Sequence, residues 1–113
     1  MIDTLNKGDI VVVKFPFASS LKYKARPAVI ISNENYNQNS RNTYIILAIS
    51  SQVSHKLEIE KEIVGWKEAG LLKPSILKSS IATIEKEYVI HKLGTLNPQD
   101  LNTLNLLIEN IIV

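Results

Sequence analysis

The chain has no cysteine. Disulfide staples and thiol catalysis are therefore excluded, and a zinc site would have to use histidine and carboxylates alone. Histidine is scarce as well. His55 and His91 are far apart, with no H-x-x-x-H spacing, so no metal site is expected and both read as surface or structural residues. Long apolar runs are missing. The longest, such as Ile10 to Val13 and Tyr44 to Ile49, fall far short of a membrane span. Met1 to Lys7 lacks the apolar stretch of a secretory leader. A cytoplasmic protein with no membrane partner is expected. There is no P-loop, no internal repeat and no low-complexity linker. With 113 residues, one domain over 1–113 around one core is the expectation.

Hydrophobic residues make up 45% of the chain, which argues against intrinsic disorder. The net charge of +2 permits a nucleic-acid partner without demanding one. Its distribution is more telling. Residues 1–41 hold Lys7, Lys14, Lys22, Lys24, Arg26 and Arg41 against Asp3, Asp9 and Glu34. Lys22, Lys24 and Arg26 fall close together.

Short apolar runs broken by turn residues dominate the pattern. Gly8-Asp9 leads into the β-branched run Ile10 to Phe15, a strand that Pro16 ends. Phe17 to Arg26 reads as an exposed cationic loop closed by Pro27, and Ala28 to Ile31 as a buried strand. Asn33 to Thr43, rich in asparagine, reads as a surface loop. Tyr44 to Ile49 is a third buried strand. Lys56 to Glu60 alternates with period two, which predicts a half-exposed strand with Glu58, Glu60 and Glu62 on a solvated face. Gly65 to Gly70 is a turn carrying Trp66. Pro74 to Ile84 and Tyr88 to Leu93 read as further strands. Asn97 suits an N-cap and Pro98 the first helical position. Leu101, Leu104, Leu107, Ile108 and Ile111 then recur at helical spacing. Many short strands and one late helix predict a small, strongly bent sheet or partial barrel.

Three stretches, in order and over nearly the whole chain, resemble the PemK/MazF toxins. The first is Gly8-Asp9-Ile10-Val11-Val12-Val13-Lys14-Phe15-Pro16-Phe17, followed by a loop and Arg26-Pro27-Ala28-Val29-Ile30-Ile31-Ser32. The second is Ala48-Ile49-Ser50-Ser51-Gln52. The third is Ala69-Gly70-Leu71-Leu72-Lys73-Pro74-Ser75, leading to Thr83-Ile84-Glu85-Lys86 and Leu93-Gly94-Thr95-Leu96. The resemblance implies a mainly β fold, a small SH3-like barrel of the CcdB/PemK type with a C-terminal α-helix, forming homodimers. It implies metal-independent, sequence-selective cleavage of single-stranded RNA (mRNA), with no cofactor. In that reaction the 2′-hydroxyl attacks the adjacent phosphate and leaves a 2′,3′-cyclic phosphate. A cognate antitoxin protein blocks the groove.

The same resemblance carries the catalytic arginine to Arg26 and the catalytic Thr or Ser to Ser50. The residues suit those roles on their own chemistry. The planar fork of Arg26 fits two phosphate oxygens. The Ser50 hydroxyl can donate to a phosphate oxygen, and no His or acid beside it suggests a triad. Ser51 and Gln52 can contact phosphate or a splayed base. Lys22 and Lys24 can steer RNA electrostatically. Lys78 and Thr83 fall on the later strand, where some relatives carry Arg and Asp near the groove. Here Lys78-Ser79-Ser80 stands instead, and an obvious carboxylate base is missing. Phe17, Tyr23 and Trp66 can stack on bases, although core or rim packing suits them as well. Two other readings stand beside the nuclease: a non-enzymatic toxin that binds DNA gyrase on the same fold, and a catalytically inactive binding domain.

Overall fold

The structure is a computed structural model that describes residues 4–16 and 23–112. In chain order the strands are β1 (Asp9–Pro16), β2 (Tyr23–Ile30), β3 (Thr43–Ser50), β4 (Lys61–Glu62), β5 (Ile76–Glu85) and β6 (Val89–Thr95). Helix α1 (Glu34–Asn39) lies between β2 and β3, and α2 (Pro98–Ile112) follows β6. The strands form one antiparallel sheet in the order β4-β5-β3-β2-β1-β6.

This order forces the sheet to curl. Strands β5 and β6 are separated by β3, β2 and β1, which in a flat sheet means about 19 Å. In sequence only a single tight helical turn, residues 86–88, joins them, and four residue steps reach at most about 14 Å. The sheet must therefore bend until its two sides approach. The described strands form an open sheet with β4 and β6 at its edges.

Both faces of the curled sheet are buried, as the unbroken apolar runs predict. Ile10, Val29, Leu47, Ile49 and Leu77 face α2, which supplies Leu104 and Leu107. Val11, Val13, Ala28, Ile30, Ile46, Ile84 and Val89 gather on the other face with Leu5 and Tyr44. Helix α2 begins where the cap residues predict. The Asn97 side chain accepts from the Asp100 N–H at 2.7 Å.

Several sequence expectations change. Residues 17–22 of the expected loop lie outside the described residues, but Tyr23 to Pro27 belong to β2. Pro27 is tolerated there because the β2–β3 ladder stops at Ala28, so no N–H is needed from it on that side. The expected Asn-rich loop contains α1. Asn33 caps it by accepting from the Tyr36 N–H at 2.9 Å, and Asn37 is buried, donating to the Ser32 carbonyl at 3.0 Å. Residues 56–60 are not a strand, since β4 covers only Lys61–Glu62. Glu60 is 3% exposed rather than solvated.

Candidate active site

A cleft of about 450 Å³ opens on the α2 side of the sheet, beside the apolar layer that Ile49, Leu71 and Leu93 share with the helix. Val12, Pro27 and Ile49 line it from β1, β2 and β3. Val12 is the cross-strand partner of Pro27 on one side and of His91 on the other, so one row of the sheet runs His91, Val12, Pro27. Arg26 and Ala25 line the cleft from β2, and Ser50, Ser51 and Gln52 from the end of β3. Gly70 to Lys73, with Ser75, make the facing wall, and Leu93 joins His91 from β6.

Two local features open this cleft. The first is the parting of β2 and β3. They pair from Ile30↔Ile46 to Ala28↔Ala48 and no further, although β2 starts at Tyr23 and β3 ends at Ser50. The second is a bulge between β3 and β5. Leu47 pairs with Ile81 but Ile49 with Leu77, so Ala48 alone faces Lys78-Ser79-Ser80. A bulge bends its strand, here β5, and strengthens the local twist; beyond it Ser50 pairs with Ile76 of β5 and with no residue of β2.

The buried carboxylate of Glu60 holds the bulge. One oxygen accepts from the Ser79 N–H at 2.8 Å and the Ser79 hydroxyl at 2.9 Å, and the other from the Leu57 N–H at 2.7 Å. Burial alone pushes the Glu60 carboxyl up. The hydrogen bonds from the Leu57 and Ser79 backbone and the Ser79 hydroxyl, with the Lys78 charge, outweigh it and hold the carboxyl below its usual range.

The facing wall is set by backbone packed on backbone. A Cβ on Gly94 would stand 2.2 Å from the Ala69 carbonyl oxygen, and one on Gly70 2.3 Å from that of Leu93. Gly70 also has a φ of +94°, where side chains are disfavoured. The turn is tied at its start by Asp100 of α2, which accepts from the Val64 and Gly65 N–H groups at 3.0 and 2.8 Å. Leu72, at the lip, is 95% exposed.

Of the residues singled out from the sequence, Arg26, Ser50, Ser51 and Gln52 meet at the cleft. Arg26 is exposed, opposite Val13 on β1, and forms no ion pair among the described residues, where Lys92 and Asp9 pair at 3.3 Å. Ser50 accepts from the Gln52 N–H at 3.1 Å, which leaves its own hydroxyl hydrogen to donate into the cleft. Lys24 is exposed two residues from Arg26 on β2, beside the cleft. Lys78 and Thr83 do not line it. Lys78 lies in the bulge by Glu60. Thr83 pairs with Ile45, five positions along β3 from Ser50 and so about 17 Å away. Trp66 is half-buried against the core. Phe17, Lys22 and the side chain of Tyr23 lie outside the described residues.

Sequence reasoning missed Lys73, Leu72 and His91 as cleft residues and Glu60 as the anchor of its geometry. The Ala69 to Ser75 stretch stood out as a unit, but nothing in it marked which residues face the cleft. Among the described residues, the ionisable side chains that line the cleft are Arg26, Lys73 and His91, with no carboxylate. Such a lining attracts anions and offers little to a divalent cation. Among the described residues, no three His, Asp or Glu side chains gather to hold a metal, and no helix is long and apolar enough to cross a membrane.

Residues 6–112 match the family described as the PemK-like, MazF-like toxin of type II toxin–antitoxin systems. The chain belongs to this family. No curated protein sequence matches it. Solved structures share the fold at low identity. An endoribonuclease solved in complex with its cognate antitoxin, from a mycobacterial species, superposes with a TM-score of 0.76 at 17% identity, over 96% of this chain and 95% of that one. The Mycobacterium tuberculosis toxin MazF-mt6 gives 0.74 at 21% identity over 91% and 94%. MazF from Deinococcus radiodurans gives 0.76 at 16% identity over 97% and 98%.

Proposed function

We propose that this PemK/MazF-family chain is an endoribonuclease toxin that cleaves single-stranded RNA without a metal, by attack of the 2′-hydroxyl on the adjacent phosphate. The observation that carries the reading is the fork between β2 and β3. Arg26 and Ser50, from separate strands, line one anion-attracting cleft in which the described residues place no carboxylate. The Arg26 guanidinium places two N–H donors on the phosphate and stabilises the charge that builds in the phosphorane. The free hydroxyl hydrogen of Ser50 donates to a further phosphate oxygen. Ser51 and Gln52 contact the flanking nucleotide, Leu72 offers a base an apolar surface, and Lys24 draws the strand in. The 2′-oxygen bonds to phosphorus, the bond to the 5′-oxygen breaks, and the products are a 2′,3′-cyclic phosphate and a 5′-hydroxyl.

The protein works as a homodimer in the cytoplasm, and a cognate antitoxin chain silences it by covering the cleft. Support comes from the family and from a fold neighbour solved with its antitoxin. The deciding experiment incubates purified protein with mixed-sequence RNA in EDTA and examines the product ends. Cyclic phosphate ends are expected. Cleavage that needs added magnesium, or that proceeds on fully 2′-O-methylated RNA, overturns the reading.

A further inference from the structure

We propose that His91 is the general acid of the cleft, protonating the 5′-oxygen as it leaves. This rests on the ribonuclease reading above and adds to it the proton donor that Arg26 and Ser50 cannot supply.

The chemistry needs such a donor. An alkoxide leaves phosphorus poorly unless a proton meets it, and a side chain serves best when its own acidity lies near the working pH. Serine and glutamine side chains hold their protons too tightly. Ammonium and guanidinium groups hold their protons more tightly than an imidazolium does, which makes the imidazolium the readier donor near neutral pH. Among the described residues lining the cleft, His91 is the only imidazole, and no carboxylic acid competes with it.

The geometry places it suitably. The β1–β6 register sets His91 opposite Val12, and Val12 is opposite Pro27, the neighbour of Arg26. Two strand spacings, about 10 Å, separate the His91 and Pro27 backbones. Arg26 and His91 both line the cleft, from β2 and β6. His91 is exposed, and no hydrogen bond or ion pair to a described residue occupies its ring. The charged groups around it are Arg26 on β2, Lys73 in the facing wall, and Lys14 on β1, next after Val12 on the same face. Lys92, beside it on β6, is held by Asp9.

In the step, the O2′–P bond forms and the P–O5′ bond breaks. The 2′-hydroxyl proton passes to solvent water. The ring N–H proton of the His91 imidazolium passes to O5′, and the neutral ring is reprotonated from solvent.

The test is single-turnover cleavage by wild type and His91→Gln between pH 5 and 9. It uses an oligonucleotide carrying the mapped cleavage site, and the same oligonucleotide with sulfur in place of the bridging 5′-oxygen. On the oxygen substrate the wild-type rate should fall as pH rises through the imidazole range. His91→Gln should be slower by on the order of 10²-fold and lack that limb. A thiolate leaves without a proton, so on the sulfur substrate the two proteins should agree within a few-fold. A variant that keeps the wild-type rate and pH limb overturns the inference. So does one that is equally slow on both substrates, since that marks damage to the fold or to binding. Wild type that cleaves no RNA overturns the proposed function, and this inference with it.

Discussion

Arg26 and Ser50 would face each other across β2 and β3 if the ladder joining Ala28 to Ala48 ran two pairs further. It stops instead, and the gap between them is the mouth of the cleft. Pro27 withholds the N–H that would extend the ladder. Past the bulge opposite Ala48, Ser50 pairs with Ile76 of β5. The two side chains are thus brought to one cleft by strands that have just parted.

The first prediction concerns Arg26 against its neighbouring cation. If Arg26 places paired donors on the transition state, its loss should cost on the order of 3 kcal/mol, about a hundredfold in rate. Arg26→Lys should stay poor although the charge is kept, because lysine is a point charge. Lys24→Ala should mainly weaken binding, and increasingly little as salt rises. Single-turnover cleavage at saturating enzyme checks all three. Near-wild-type rates in Arg26→Lys would reduce Arg26 to part of a charged patch.

Ser50→Ala should lower the single-turnover rate by on the order of tenfold, about one neutral hydrogen bond to the transition state. Ser50→Thr should retain most activity, since the hydroxyl survives and its rotamer is more restricted. Thermal melts of both should match wild type, because among the described residues the Ser50 side chain accepts only the Gln52 N–H. If Ser50→Ala and Arg26→Lys are both silent, the nuclease reading gives way to a binding toxin.

How much of this was readable from the sequence follows from what kind of contact each feature needs. Strand β1 and helix α2 were legible because a β-branched run and an Asn-Pro start with helical spacing are local signals. Arg26 and Ser50 were reached through the resemblance to the PemK/MazF toxins rather than through a local signal. Glu60 was misread because Lys56 to Glu60 alternates as a strand does. Its burial depends on Ser79, nineteen residues on, across a bulge that no local pattern announces. His91 enters the cleft only through the β1–β6 register, which slips between Ile10 and Val11 and again between Val12 and Val13. Helix α1 was hidden because asparagine signals loops and helix caps alike.

Glu60 makes the fold acid-sensitive. Its folded carboxyl lies below its ordinary value, so the native state binds fewer protons than the unfolded chain near pH 4. Its contribution is fully present above the unfolded carboxylate value of about 4.3. It is lost as pH falls through the lower folded value. Glu60→Gln should therefore flatten the acid limb of stability against pH. At neutral pH it should also destabilise by on the order of 2 kcal/mol, since an amide turns an N–H₂ toward groups that themselves donate. Urea melts between pH 3 and 7 test this. A parallel loss at every pH would show that Glu60 acts through packing alone.

Gly94→Ala should damage the cleft from outside it. Gly94 does not line the cleft, yet a Cβ there would stand 2.2 Å from the Ala69 carbonyl oxygen and 2.7 Å from its carbon. Both are backbone atoms, so no flexible side chain can swing aside. The turn ending in Gly70 must shift, and with it Leu71, Leu72 and Lys73 of the facing wall. The cost of such overpacking is on the order of 2 kcal/mol. Part of the shift will be resisted, because Asp100 grips the start of the turn through the Val64 and Gly65 N–H groups. The wall should thus move most at its cleft end. Gly94→Ala should melt at lower temperature and bind a 2′-O-methylated RNA strand, which cannot be cleaved, more weakly than wild type. Asn102→Ala, at an exposed position on α2, serves as the control and should change neither. Wild-type binding by a destabilised Gly94→Ala protein would show that the Gly70 to Lys73 wall does not touch RNA, and the strand would then run along β2 and the end of β3 alone.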